Sequence, residues 1–184
     1  MTKKFFVLNC IAVAFIAGGC SQESPVAPGI NAENSADWSL SKRRASHVSA
    51  TFDFNKGQIV DPGQQWLDDQ GVFHIRNQVY ENSPITGGFA GVDEHNVFNA
   101  DIELATGGGK SWGRTRSQVT WVERNISGIG IGEYENRIIA GQMQGHSSWV
   151  GRGGFAGLVA KGEQEETAPG SLVLNIEFTV SKKH

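Results

Sequence analysis

From His47 onward, apolar side chains recur at every second position far more often than at helical spacing. Val48, Ala50, Phe52 and Phe54 form one alternating face. Phe73, Ile75 and Val79 share another, with His74, Arg76, Gln78 and Tyr80 opposite. Phe98, Ala100, Ile102 and Leu104 alternate against Asn99, Asp101 and Glu103, and Leu172, Leu174, Ile176, Phe178 and Val180 alternate most regularly. Turn signals separate these runs at Asp61-Pro62-Gly63, Asp68-Asp69-Gln70-Gly71 and Gly107-Gly108-Gly109. No segment carries the pattern of an amphipathic helix, so the spacing predicts one all-β domain over residues 46–184.

Glycine use points to a coiled sheet. Gly87-Gly88-Phe89-Ala90-Gly91 recurs as Gly153-Gly154-Phe155-Ala156-Gly157, sixty-six positions later. Each copy sets a large ring between bare backbone positions. Glycine weakens a strand unless sharp curvature or close approach is needed, and a closed barrel needs both. Gly128-Ile129-Gly130-Ile131-Gly132 has no βαβ context for a dinucleotide site and reads as a narrow point in such a wall.

The series Gly88-Phe89-Ala90-Gly91, Asn99 to Gly109, then Trp112-Gly113 resembles the bacterial relatives of the allene oxide cyclase and dirigent barrels, over roughly Val72 to Val180. The resemblance implies a single antiparallel up-and-down β-barrel of eight strands, or nearly so. Members often enclose an apolar molecule and guide its cyclisation or coupling. It supplies no catalytic motif, so it implies the fold and not the activity.

Ahead of the domain, Lys3 and Lys4, an apolar run from Phe5 to Ile16, and Ala17-Gly18-Gly19 before Cys20 have the three-part layout of an export signal. The run is too short for the roughly 20 residues of a transmembrane helix. Gly18-Gly19-Cys20 resembles the bacterial lipobox, with Ala17 where Leu is commonest. That resemblance implies cleavage after residue 19 and a diacylglycerol thioether plus an acylated amino group on Cys20. Two or more chains, at about 0.8 kcal/mol per buried CH₂, hold stably where one does not. The membrane is therefore an expected partner, and the cell envelope the expected address. With Ser21 rather than Asp following, the lipobox resemblance implies the outer membrane in a double-membraned bacterium. Residues 20–45, rich in Ser, Pro, Asn and Ala, read as a flexible, disordered tether.

Composition then removes function classes. Cys10 leaves with the signal and Cys20 carries lipid, so the mature chain keeps no thiol for a disulfide, a zinc–thiolate site or a nucleophile. Losing Lys3 and Lys4 moves the formal charge from −3 to −5, and no basic face suggests nucleic acid. Leu104 to Ser111 lacks the first glycine and the following helix of a phosphate loop and reads as a hairpin. His47, His74, His95, His146 and His184 show no metal-ligand pairing, and no Gly-x-Ser-x-Gly elbow exposes a serine. Neither metal nor cofactor is expected.

The remaining candidate set is Trp112, Arg114 and Arg116 on one segment and Glu133, Tyr134, Glu135 and Arg137 on a later one. Pointing inward, the charged members could orient a carboxylate or carbonyl of an otherwise apolar ligand. Pointing outward, they are cross-strand charge pairs of an ordinary sheet. The leading expectation is a non-catalytic lipid-tethered barrel that binds a small apolar or amphiphilic molecule. The alternatives are a cyclase- or isomerase-type enzyme and an envelope scaffold or adhesion module. Sequence does not decide the oligomeric state.

Overall fold

The computed structural model describes residues 45–183; the signal segment, Cys20 and the tether lie outside them. Among the described residues the elements are eleven strands and two single 3-10 turns, Phe54–Lys56 and Val122–Arg124. The strands are β1 (Ser46–Asp53), β2 (Gln58–Asp61), β3 (Gln64–Leu67), β4 (Val72–Glu81), β5 (Ser83–Gly87), β6 (Phe89–Glu103), β7 (Gly108–Trp121), β8 (Ile126–Ile139), β9 (Gln142–Gly153), β10 (Leu158–Glu166) and β11 (Val173–Lys182).

Antiparallel pairing runs β1–β5–β6–β7–β8–β9–β10–β11 and returns to β1, an all-β ring of eight strands with up-and-down connections. The excursion β2–β4 interrupts that order. β5 pairs with β6 at Gly91–Asp93, whereas β4 takes the same edge of β6 further along, at Asn96–Glu103. β2 and β3 line the other edge of β4, and neither pairs with β1 or β11. The ring is therefore hydrogen-bonded shut at the β5 end and has a seam at the β4 end. The Phe54–Lys56 turn joins β1 to β2 across it.

Inward positions at the shut end are aromatic and aliphatic: Phe89, Trp121, Trp149, Phe155, Phe178 and Val180 are all buried. Each such side chain contributes about 1.5–3 kcal/mol. Alternate glycines of β8 give the rings their room. A Cβ on Gly130 would lie 2.5 Å from Trp149, and one on Gly128 would lie 2.8 Å from Phe155.

Two bulges change which side chains enter. In β4 the register shifts between Ile75 and Gln78, with Asn77 at φ 55°. Strict alternation placed Gln78 and Tyr80 on the face away from Ile75; the extra residue turns both inward, opposite Phe98 and Asn96. In β6 the shift between Asp93 and His95 leaves both Asp93 and Asn96 inside.

Candidate functional site

The sequence-derived candidates do not converge. Arg114, Arg116, Glu133, Glu135 and Arg137 are exposed on the outer face of β7 and β8, with Arg114 opposite Glu133 and Lys110 opposite Arg137. Trp112 is also on the outside, half-buried beneath Arg76 and Lys110, whose charged ends stand 4.9 and 5.0 Å from its ring. Of this outward set Arg116 is ion-paired, to Glu94, and Trp112 makes ring–cation contacts. Tyr134 alone points inside, and it belongs to a different constellation.

That constellation is a polar belt in the ring's interior, built from β5, β6, β7, β8 and β9. Asp93 is fully buried. Its Oδ1 accepts from Ser117 Oγ at 2.8 Å and from Thr115 Oγ1, and its Oδ2 accepts from Asn96 Nδ2 at 3.0 Å. Tyr134 Oη donates to Asn96 Oδ1 at 2.8 Å, the ring reaching there because Gly113 opposite carries no side chain. Across the strand pair from Asp93 stands Ser83, and across from Tyr134 stands Ser147. Their hydroxyls are buried, at 0 % and 5 % exposure, and have no hydrogen-bond partner. A buried orphan hydroxyl costs about 1–3 kcal/mol, so one beside a buried carboxyl and another beside the buried tyrosine call for an explanation.

Electrostatics sharpen the picture. Burial pushes the Asp93 carboxyl up to about 6 despite the opposing hydrogen bonds from Thr115, Asn96 and Ser117 and the positive influence of His95. Burial, with the Asp93 charge and then Tyr80 adding to it, pushes Tyr134 well above the ordinary phenol. The other fully buried carboxyl, Glu166, is committed elsewhere. Its oxygens accept from the backbone N–H groups of Met143 at 3.0 Å and Leu172 at 2.7 Å, fixing the turn before β11.

A chain of ring contacts connects the core to the seam. It runs from Phe155 to Phe89, then Trp149, Phe52, Phe54, Tyr80 and Phe98, with neighbouring centroids 5.8 to 6.3 Å apart. Its first four members are buried; Phe54, Tyr80 and Phe98 are half-buried. The shut end is nearly filled. The void bounded by Phe89, Trp121, Trp149 and Phe155 has a volume of about 20 Å³, room for about one water. The half-buried rings, by contrast, sit beside the belt, since Tyr80 pairs with Asn96 in register. Gly57, at the end of the Phe54 turn, packs directly on Ser83, where a Cβ would come within 2.2 Å of the hydroxyl.

Two features lie outside the ring. A hollow of about 480 Å³ on β9–β11 is bordered by His146, Glu163, Glu165 and Glu177, open and acidic. Among the described residues no group of three or more His, Cys, Asp and Glu is placed to hold a metal ion. On β3, β4 and β6, His74 bridges Asp101 at 2.6 Å and Asp68 at 3.1 Å, with Trp66 stacked on its ring.

Comparison with protein-family models and with curated proteins finds no match to this chain.

Sequence reasoning did not single out Asp93, which sits in the polar stretch Asp93-Glu94-His95-Asn96. The available signal was parity: Phe89, Gly91 and Asp93 continue one alternating face.

Proposed function

We propose that this chain is a lipid-anchored protein of the cell envelope whose barrel-like ring takes up a small amphiphilic molecule. The polar end lies at the Asp93 belt and the apolar part along Tyr80, Phe98 and Phe54. The observation that carries this reading is the buried carboxyl with no Lys or Arg paired to it and an orphan hydroxyl, Ser83, opposite it, next to half-buried aromatic rings at the seam. A ring that served only as a scaffold would gain stability by replacing that carboxyl with an apolar side chain. Perturbed acids of this kind cluster at functional sites. Because the shut end is nearly filled, entry is by displacement of the Phe54 turn rather than into a ready-made hollow. The outward arginines take no part.

The test is native mass spectrometry of the mature protein isolated from its membrane. One small organic molecule per chain, released on unfolding, is the expected result. A chain that carries nothing, and that binds no amphiphile when challenged, contradicts the reading.

One observation favours a second reading, an isomerase or cyclase-type enzyme. A carboxyl that titrates near 6 both gives and takes protons close to neutral pH. Recovery of the bound molecule in an altered form, with the change lost in Asp93→Asn, would select it.

A further inference from the structure

We infer that the molecule taken up is an amphiphilic amine, its ammonium seated at Asp93 with Ser83 as a further acceptor. The inference rests on the binding reading above and adds the chemical class of the head group.

The first argument is charge. Among the described residues, no Lys or Arg is buried: Arg114, Arg116, Arg137, Arg152 and Lys161 are exposed, and Arg76, half-buried, turns outward to Asp101. The buried charged groups of the interior are two carboxyls, Asp93 and Glu166. Of these, Glu166 spends both oxygens on backbone N–H groups. An entering carboxylate or phosphate would meet like charge with no counter-ion in a medium where such repulsion is poorly screened. An entering ammonium supplies the missing partner.

The second argument is the hydrogen-bond inventory. Asn96 Nδ2, Thr115 Oγ1 and Ser117 Oγ all donate to Asp93, and Tyr134 Oη donates to Asn96. The three hydroxyl donors are thereby consumed, and one of the two Asn96 N–H groups. What is left over is a second lone pair on Asp93 Oδ2 and the lone pairs of Tyr134 Oη, acceptors only, and the Ser83 hydroxyl, which has neither donated nor accepted. A primary ammonium offers three donors and no acceptor, which suits the Asp93 and Tyr134 lone pairs and leaves the Ser83 oxygen to accept. The rings of Tyr80 and Phe98 beside the belt add attraction for a cation over their faces.

The experiment uses the full mature chain carrying Cys20→Ala, so that no detergent competes. Tryptophan fluorescence is titrated at pH 7.5 with decylamine, decanol and decanoate, each below its micelle concentration. The expected order is decylamine about tenfold tighter than decanol, with decanoate weakest. Decyltrimethylammonium keeps the charge without N–H donors and should lose most of the amine's advantage on the same wild-type belt. In Asp93→Asn, decylamine and decanol should bind within about twofold of each other. Decanoate binding as tightly as decylamine, or an amine preference that survives in Asp93→Asn, overturns this inference and leaves the binding reading standing. Equal affinity for decylamine and decyltrimethylammonium overturns the assigned N–H contacts. Failure of every probe to bind overturns both.

Discussion

Tyr134 on β8 and Asn96 on β6 are joined across the interior by a 2.8 Å hydrogen bond, with β7 lying between their strands. Only Gly113 on β7 leaves the phenol room to pass. Through Asn96, whose Nδ2 donates to Asp93, the contact reaches the buried carboxyl.

The raised Asp93 pKa fixes the sign of a pH effect. The folded state holds the proton up to about 6, while the unfolded chain releases it near 3.8. The group's contribution is therefore full below 3.8 and is lost as pH rises through 6. Between pH 5 and pH 8 that loss is about 1.4 kcal/mol. Urea unfolding at the two pH values should show wild type losing about 1.4 kcal/mol more than Asp93→Asn, since His74 titrates in both. Equal pH slopes in both proteins would refute the buried titration.

His74 acts on the outer face with a related sign. Asp101 first, and then Asp68, hold its pKa above the ordinary histidine value. Its stabilising ion pairs are present below 6.5 and fade as pH rises through the raised value. His74→Gln should lower the melting temperature at pH 5.5 and leave it unchanged at pH 9. A deficit that persists at pH 9 would assign the effect to the Trp66 stack instead.

Packing gives a pH-independent prediction. Gly130→Ala drives a methyl to 2.5 Å from the Trp149 ring inside an almost filled end. Overpacking of this kind costs about 1–3 kcal/mol, readable as a lower urea midpoint. By contrast, Arg114→Ala and Arg137→Ala, on the exposed face, should change stability by no more than about 0.5 kcal/mol and leave amphiphile binding unaltered.

The anchor is tested separately. Cys20→Ala should lose lipid labelling and leave the membrane fraction. Membrane association that survives the substitution would remove the lipid from this account.

How much of this was legible in the sequence depended on regularity. Val48, Ala50 and Phe52, and Leu174 to Val180, alternate without interruption, and both runs form strands with the expected inner face. The repeated Gly-Gly-Phe-Ala-Gly showed rings set among glycines. Its two phenylalanines, Phe89 and Phe155, meet edge to face at 5.9 Å in the shut end, from differently shaped junctions, β5–β6 and β9–β10. The site was hidden in part because β6, which carries Asp93 and Asn96, and β4 beside it are bulged. A single extra residue inverts the face of everything beyond it, so Gln78 and Tyr80 looked external, and the inward side of Asn96 could not be read by parity from Phe89. Arg114, Glu133 and their neighbours drew attention as charges within strands, yet charge is what an outward face of a soluble sheet accommodates at least cost.

The most direct test of the central claim is energy transfer from the interior tryptophans, Trp121 and Trp149, to the neutral probe N-phenyl-1-naphthylamine in the detergent-free Cys20→Ala mature chain. The account predicts saturable transfer at one probe per chain, reversed by decylamine. Probe fluorescence that rises without saturation, or that decylamine leaves untouched, would place the probe on the surface and contradict an amphiphile site inside the ring.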